Sequence, residues 1–264
     1  MTRKGALVFV GLGLHDEDGV SERGLTEILS ADLVLAEVYT SALSEGSLDR
    51  LAKRTGKRLE LLDRAAVEDG KRILKECEDK RVALLVVGDP MTATTHVDLR
   101  LRAAEAGIET HITHGASVLT AVPGLLGLQH YKFGRTTTLP FPQEGYSPTS
   151  PYEVIHENLS RGLHTLVLLD IDAENSRYMT ANEGLHLLMD IERRVGRGII
   201  SESTLVCAVA RAGSRDCMVR AGILRELLVT DFGPPLHTIV VPGKLHFLEE
   251  DALRVFAGRK SPHT

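Results

Sequence analysis

Short apolar runs alternate with amphipathic stretches through the first 114 residues. The apolar runs are rich in β-branched and aliphatic residues, which is typical of strands buried on both faces. Such strands are predicted at 6–10, 32–38, 82–87 and 108–112, with a shorter strand near 58–62. The amphipathic stretches predict helices at 22–30, 47–54, 65–79 and 97–106, with Ser21 as the first N-cap and Gly107 just beyond the last helix. Because strands and helices alternate, a parallel sheet is predicted.

The pattern changes after residue 114. A glycine-rich segment, 115–135, is predicted to connect the first unit to a second one. In the second unit strands are predicted at 136–141, 164–171, 204–210, 217–221 and 237–241, helices at 152–161, 180–194 and 247–256, and a proline-bearing loop at 142–151. The neighbouring strands near 204–221 indicate a mixed sheet rather than a purely parallel one. The predicted fold class is therefore α/β, with two α/β domains at 1–114 and 115–264.

The turn after the strand at 82–87 is the first candidate for a binding site. Gly88 allows backbone conformations that other residues avoid, while Pro90 fixes its own φ and keeps Asp89 out of the helical region. Because open α/β sheets bind ligands beyond the carboxyl ends of their strands, this turn is a predicted ligand site. The alternative is an ordinary strand-to-helix loop.

The first strand also ends in a loop that contains two glycines, at 11–14. The dinucleotide-binding pattern GxGxxG would require a further glycine at the position of Asp16, and the chain has no phosphate-binding loop with a Lys-Ser or Lys-Thr pair. A nucleotide-dependent enzyme is therefore disfavoured. The net charge of −5 and the absence of tryptophan also disfavour a nucleic-acid-binding protein.

The apolar segments are far shorter than the roughly 20 residues that span a bilayer, and the N-terminus has no signal-peptide apolar region. We therefore expect a cytoplasmic protein without a membrane partner. The three cysteines, Cys77, Cys207 and Cys217, show no paired spacing, so neither a disulfide framework nor a zinc site is predicted.

Seven stretches spread along the chain resemble one known family. They are VFVGLGL at 8–14, EVYTS at 37–41, GDP at 88–90 with ATTH at 93–96, YKFG at 131–134, MTANE at 179–183, ARAGS at 210–214 and VPGKLH at 241–246. In this order they are similar to the diphthine synthase family of the tetrapyrrole methylase superfamily. The Gly-Asp-Pro turn alone would indicate only the superfamily.

This resemblance implies two domains of the tetrapyrrole methylase type with the cofactor in the cleft between them. The implied activity is that of an S-adenosylmethionine-dependent methyltransferase, with S-adenosylhomocysteine as the product. In the family the acceptor is a histidine of translation elongation factor 2 that carries a 3-amino-3-carboxypropyl group. Its amino nitrogen is methylated repeatedly on the route to diphthamide. The family's usual assembly is a homodimer.

The resemblance also implies cofactor contacts at eight positions. They are Leu14, Asp89, Thr92, Ser117, Val118, Leu169, Ala212 and His237. The apolar residues among them suit the walls of an adenine pocket, although they would equally suit a protein core. Asp89 could accept hydrogen bonds from a hydroxyl or an ammonium, and Thr92 and Ser117 could serve a carboxylate or a ribose. The alternatives are that Asp89 caps its own turn and that His237 is a core histidine.

The sequence assigns no catalytic residue. Because the positive charge of the sulfonium already activates the methyl group, positioning and desolvation can supply most of the barrier reduction. His96 is a candidate for deprotonating the amine, with a helix-entry or packing role as the alternative. His111 and His114 have an i, i+3 spacing but no evident carboxylate or cysteine partner, so no metal site is predicted.

Two other functions stay open at this point. Methylation of a tetrapyrrole precursor is favoured by the fold and disfavoured by the family-specific stretches at 94–96 and 179–182. A non-catalytic protein would bind S-adenosylmethionine without transferring its methyl group to any acceptor.

Overall fold

The computed structural model describes residues 5–37, 39, 41–143, 145, 148–172 and 175–260. Val38 and Thr40 of the 37–41 stretch lie outside these residues, as do positions 144, 146 and 147 of the predicted loop. The described chain divides into two compact units. The first contains the residues up to 118 together with Asn175, and the second contains 119–172 and 176–260. The predicted α/β class is confirmed, and the domain boundary after residue 114 stays a prediction.

The first unit is built on a parallel sheet, five-stranded within the described residues. Its strands are β1 (Ala6–Gly11), β2 (Leu33–Glu37), β3 (Leu59–Leu62), β4 (Arg81–Val86) and β5 (Glu109–Thr113), in the order β3-β2-β4-β1-β5. The predicted parallel pairing is thus confirmed. Because β4, β1 and β5 are neighbours that run in the same direction, their carboxyl ends meet at one edge of the sheet.

Strand β1 contributes to a hydrophobic core on each face of this sheet. All of its residues are buried, and successive side chains point to opposite faces. Val8 packs in one buried cluster with Ile28, and Phe9 packs in the other with Leu99. A strand that is buried on both faces needs helices on both sides of the sheet, which explains why its sequence is continuously apolar.

The helices described in the first unit are α1 (Glu22–Ser30), α2 (Ser47–Thr55), α3 (Arg64–Asp69), α4 (Lys71–Glu76) and α5 (His96–Glu105). Ser21 caps α1 as predicted, since its hydroxyl accepts a hydrogen bond from the Gly24 N–H at 3.0 Å. The single helix predicted at 65–79 is wrong. Gly70 lies between α3 and α4 with a φ of 62°, in the left-handed region, and this conformation ends the first helix.

The second unit contains a mixed sheet. Its strands are β6 (Thr137–Leu139), β7 (Thr165–Leu169), β8 (Ile171–Asp172), β9 (Arg177–Tyr178), β10 (Leu205–Ala210), β11 (Met218–Ile223) and β12 (His237–Val241). The main sheet has the order β11-β10-β12-β7-β6, and β8 pairs separately with β9. β6 and β7 are parallel, while β12 runs antiparallel to both β7 and β10, and β10 runs antiparallel to β11. The predicted mixed sheet is therefore confirmed.

The remaining described helices are α6 (Val118–Leu126), α7 (Ser150–Ser160), α8 (Ala181–Val195), α9 (Leu224–Leu227) and α10 (Phe247–Ala257). The units divide within the predicted connection 115–135, but the sequence pattern did not indicate that α6 and a 3₁₀ turn at His130–Lys132 occupy much of it. Pro123 and Gly124 have poor helix propensity and obscured the helix. Packing of its buried side chains, which include Val122 and Leu126, outweighs that propensity. No helix among the described residues is both long and apolar enough to cross a membrane.

A buried carboxylate joins three segments of the second unit. Glu249 of α10 is fully buried and accepts hydrogen bonds from the Gln129 N–H at 2.9 Å and the His246 N–H at 2.8 Å. The Lys132 ammonium and the His164 Nε2–H, the latter at 3.0 Å, also donate to it. The stretches YKFG at 131–134 and VPGKLH at 241–246 thus meet at one side chain.

These donors hold the charge of Glu249 inside the protein. Burial alone would raise the pKa of Glu249, but the Lys132 ammonium and the backbone N–H groups outweigh it and lower the pKa from 4.5 to about 2. Because the folded-state pKa lies below the unfolded-state value, the stabilisation is fully present above pH 4.5. It is lost as the pH falls towards 2.

We therefore expect Glu249→Gln to lower the free energy of unfolding at neutral pH by roughly 3 kcal/mol. The difference from the wild type should shrink as the pH falls from 4.5 towards 2, because the wild-type carboxylate becomes protonated over that range. Chemical unfolding at a series of pH values measures both effects. Glu250→Gln, at the exposed next position, is the matched control and should leave the pH dependence unchanged. A constant difference at all pH values would contradict this account.

Candidate functional site

Three loops of the first unit approach one another very closely. The Gly13 N–H donates to the Gly88 carbonyl at 3.2 Å, and the Gly88 N–H donates back to the Gly13 carbonyl at 2.8 Å. The loop after β5 lies equally near, since a Cβ added to Gly115 would lie 2.3 Å from the Gly88 oxygen. Only glycine fits at such a distance. The loops after β1, β4 and β5 are therefore held together at the carboxyl edge of the sheet.

This edge carries five of the eight predicted cofactor residues. Leu14 follows β1, Asp89 and Thr92 follow β4, and Ser117 and Val118 follow β5. Ser117 is buried and the other four are at least partly buried. Two apolar side chains, two hydroxyls and one carboxylate are thus brought to one place from three separate parts of the sequence.

Asp89 is the anchored charge of this group. Its Oδ1 accepts from the Met91 N–H at 3.0 Å and from the Thr92 hydroxyl at 3.2 Å. Its Oδ2 lies 2.7 Å from Nδ1 of His114. Burial alone would raise the pKa of Asp89, but the Met91 N–H, the His114 ring and the Thr92 hydroxyl outweigh it, and the pKa lies below its usual value. Asp89 therefore caps its own turn and presents a permanent negative charge at neutral pH.

The other three predicted residues lie at the same end of the strands in the second unit's main sheet. Leu169 is the last residue of β7, and His237 is the first residue of the antiparallel strand β12. β10 pairs its last residue, Ala210, with His237, and Ala212 follows two residues later. Apart from the family resemblance, nothing in the sequence indicates that these three positions, far apart along the chain, are neighbours.

The side chain of His237 is engaged within the fold. Its Nδ1 accepts a hydrogen bond from the Ala181 N–H at 3.1 Å, so its Nε2 carries the proton and donates to the Pro234 carbonyl at 3.0 Å. Burial lowers the pKa of His237 and keeps the ring neutral. The imidazole is thus the satisfied core histidine of the alternative interpretation. Both of its ring nitrogens are engaged in hydrogen bonds within the protein.

Arg211 fastens the loop after β10 to the segment before β12. Its guanidinium donates to the carbonyl oxygens of Phe232 at 2.6 Å and Pro234 at 2.8 Å. It also donates to the carboxylate of Asp216 at 2.7 Å and to the Asp216 carbonyl at 3.0 Å. Arg211 has a φ of 53°, a costly conformation that these bonds to a rigid guanidinium offset. The loop that carries Ala212 is therefore held against the start of β12.

The other three histidines considered as functional candidates have different surroundings. His96 is buried at the start of α5, with its Nδ1 2.9 Å from the Pro90 carbonyl, which favours the helix-entry and packing role. Nε2 of His111 lies 3.2 Å from Glu109. His114 contacts Asp89, a partner that the sequence analysis missed. The carboxyl ends of β4 and β5, which lie on either side of β1, could have indicated it only if the strand order were known. No group of three or more His, Cys, Asp or Glu in the described part of the chain could hold a metal ion.

The chain can be compared with known proteins on this basis. Residues 6–228 match the family model of the tetrapyrrole (corrin/porphyrin) methylases. The chain therefore belongs to the tetrapyrrole methylase family, and the methyltransferase class follows from the family.

Two relatives and one solved structure define its place in this family. A diphthine synthase of Methanothermobacter thermautotrophicus is 47% identical over 252 residues, which cover 96% of each chain. One of Methanosarcina acetivorans is 48% identical over 252 residues and 94% of each chain. A crystal structure of diphthine synthase matches with a TM-score of 0.88 and 38% identity, over 97% of each chain. Within the tetrapyrrole methylases, the chain belongs with the diphthine synthases.

The contacts of Arg211 lead to a prediction that needs no ligand. Arg211→Ala removes the hydrogen bonds to the carbonyl oxygens of Phe232, Pro234 and Asp216 and to the Asp216 carboxylate, so the loops it joins should open more often. Amide hydrogen exchange should accelerate by about tenfold or more at 211–217 and 232–237. Arg220→Ala is the control, since Arg220 is exposed and, among the described residues, its guanidinium donates only to the carbonyl of its neighbour Val219. Unchanged exchange in both segments would show that Arg211 does not fasten them.

Proposed function

We propose that this methyltransferase takes its methyl group from S-adenosylmethionine and transfers it to translation elongation factor 2. The acceptor is the amino nitrogen of a histidine that carries a 3-amino-3-carboxypropyl group, and this nitrogen is methylated repeatedly. The product belongs to the route to diphthamide. The observation that carries the proposal is the identity of 47–48% to diphthine synthases over nearly the whole chain.

The residues at the edge of the first sheet suit this cofactor. When bound, it supplies a methyl group on a positively charged sulfur. Asp89 provides a fixed negative charge that suits an ammonium or a ribose hydroxyl, and the hydroxyl of Ser117 lies on the neighbouring loop. Leu14 and Val118 provide apolar surface for the adenine. In the second unit, Leu169, Ala212 and the main chain of His237 complete the proposed set of contacts.

The proposal includes the assembly and the location of the protein. We infer a homodimer in the cytoplasm, with neither a nucleic-acid nor a membrane partner, from the resemblance and from the acidic, tryptophan-free composition. No metal ion has a part in the proposed reaction.

The acceptor is tested with elongation factor 2 that carries the aminocarboxypropyl histidine. After incubation with the protein and S-adenosylmethionine, mass spectrometry should show a mass gain in multiples of one added methyl group. Elongation factor 2 without the aminocarboxypropyl group is the control and should gain nothing. Transfer to a tetrapyrrole precursor instead would favour the second candidate function. Binding of the cofactor without transfer to either acceptor would favour a non-catalytic role.

The role of Asp89 is tested by calorimetry with S-adenosylmethionine. Asp89→Ala removes the anchored charge and should weaken cofactor binding by about 10- to 100-fold, as expected for a charge-assisted hydrogen bond. Asp98→Ala is the matched control, because Asp98 of α5 is exposed and, within the described part of the chain, its carboxylate pairs only with Arg102, at 2.9 Å. If Asp89→Ala bound the cofactor as tightly as the wild type, Asp89 would not belong to the site.

A further inference from the structure

His114 and Asp89 form a pair with the geometry of an oriented general base. Nδ1 of His114 lies 2.7 Å from Oδ2 of Asp89. Because an ionised carboxylate can only accept hydrogen bonds, Nδ1 carries a proton and donates a hydrogen bond to Oδ2. In the neutral ring, Nε2 then keeps a lone pair that is available to accept a proton. The carboxylate thus selects the tautomer and the orientation of the ring.

The carboxylate is itself held in place. The Met91 N–H and the Thr92 hydroxyl bind the oxygen of Asp89 that His114 does not use. The Asp89 side chain is 11% exposed, so its position is set by the turn rather than by solvent. This anchoring limits the positions that the His114 ring can adopt while the pair is intact.

The opposite side of the ring faces outwards. The His114 side chain is 72% exposed, and none of the described residues makes a second hydrogen bond to it. A ring in this position can receive a proton from a docked substrate and release it to water. His96 cannot do this, because it is buried and its Nδ1 lies against the Pro90 carbonyl.

The position of His114 in the chain connects it to the proposed cofactor site. It lies directly after β5 and three residues before Ser117, and its partner Asp89 is itself a proposed cofactor contact. We propose that His114, oriented by Asp89, accepts the proton of the substrate's amino group before the methyl transfer. This inference rests on the proposed function, which requires an amine as the acceptor.

The proton balance shows what such a group contributes to repeated transfer. A protonated amine has no lone pair, so its N–H bond must break first, with the proton moving to Nε2 of His114. The amine nitrogen then forms a bond to the methyl carbon, while the carbon–sulfur bond breaks and its electron pair stays on sulfur. The methylated nitrogen is again positively charged. It must lose a further proton before the next transfer, and the exposed imidazole returns each proton to solvent in between.

The test is methyl transfer under single-turnover conditions with saturating S-adenosylmethionine and elongation factor 2 that carries the aminocarboxypropyl histidine. His114→Gln keeps a polar side chain of similar size but cannot accept a proton. It should lower the rate constant at neutral pH by about 10²- to 10⁴-fold, the usual contribution of a general base. Its affinity for S-adenosylmethionine, measured by calorimetry, should change by less than about threefold. His111→Gln is the matched control and should transfer at the wild-type rate.

The pH dependence separates a proton acceptor from a residue that only positions Asp89. Among the described residues, Asp89 provides the only carboxylate within 4.0 Å of the His114 nitrogens. If His114 accepts the proton, the difference in rate constant between the wild type and His114→Gln should shrink as the pH rises, because the amine then loses its proton directly to solvent. If the rate constant of His114→Gln were lower by the same factor at every pH and cofactor binding were also weaker, His114 would only position Asp89, and the proposal would be overturned.

Two further outcomes distinguish this proposal from the proposed function. If the wild type and His111→Gln transfer methyl groups and His114→Gln transfers them equally fast, the acceptor protein is correct and the role of His114 is wrong. If the wild type binds the cofactor but transfers nothing to elongation factor 2, the proposed acceptor is wrong, and the role of His114 fails with it.

Discussion

The close approach of three loops at the carboxyl edge of the first sheet is the constraint on which the proposed site depends. Reciprocal hydrogen bonds between Gly13 and Gly88 join the first two loops, and Gly115 brings the third within contact of Gly88. A side chain at Gly115 would separate these backbones. Asp89, Thr92 and Ser117 would then no longer lie at one place. The parallel strand order supplies the common edge, and the glycines supply the short distances.

The polar side chains near the predicted cofactor residues have different roles in the two units. In the first unit the polar groups are side chains, and the central one is an ionised carboxylate held by a backbone N–H, a hydroxyl and an imidazole. In the second unit the polar side chains serve the fold, since both ring nitrogens of His237 and the guanidinium of Arg211 are bound to the protein itself. The contacts proposed for the second unit are therefore apolar side chains and main-chain groups.

Much of this fold could be predicted because local patterns and tertiary packing agree. Continuous apolar runs identified strands such as β1 and β12, and the Ser21 cap identified the start of α1. The secondary-structure predictions failed where a backbone conformation or long-range packing determined the structure, as at Gly70 and in α6. The candidate site shows the same limit. Residue types suggested Asp89, but its pairing with His114 follows from the order β4-β1-β5, which periodicity does not reveal.

The hydrogen bonds of Asp89 restrict which groups of the proposed cofactor its turn can bind. A carboxylate has about four acceptor positions, and Met91, Thr92 and His114 occupy three of them. One position is left, so Asp89 can take a single further donor rather than bind two ribose hydroxyls side by side. Thr92 donates its only hydroxyl proton to Asp89, and its oxygen can therefore only accept. Two groups of the proposed cofactor were considered for Thr92. A ribose hydroxyl can donate a hydrogen bond to this oxygen, whereas a carboxylate cannot, because a carboxylate only accepts hydrogen bonds.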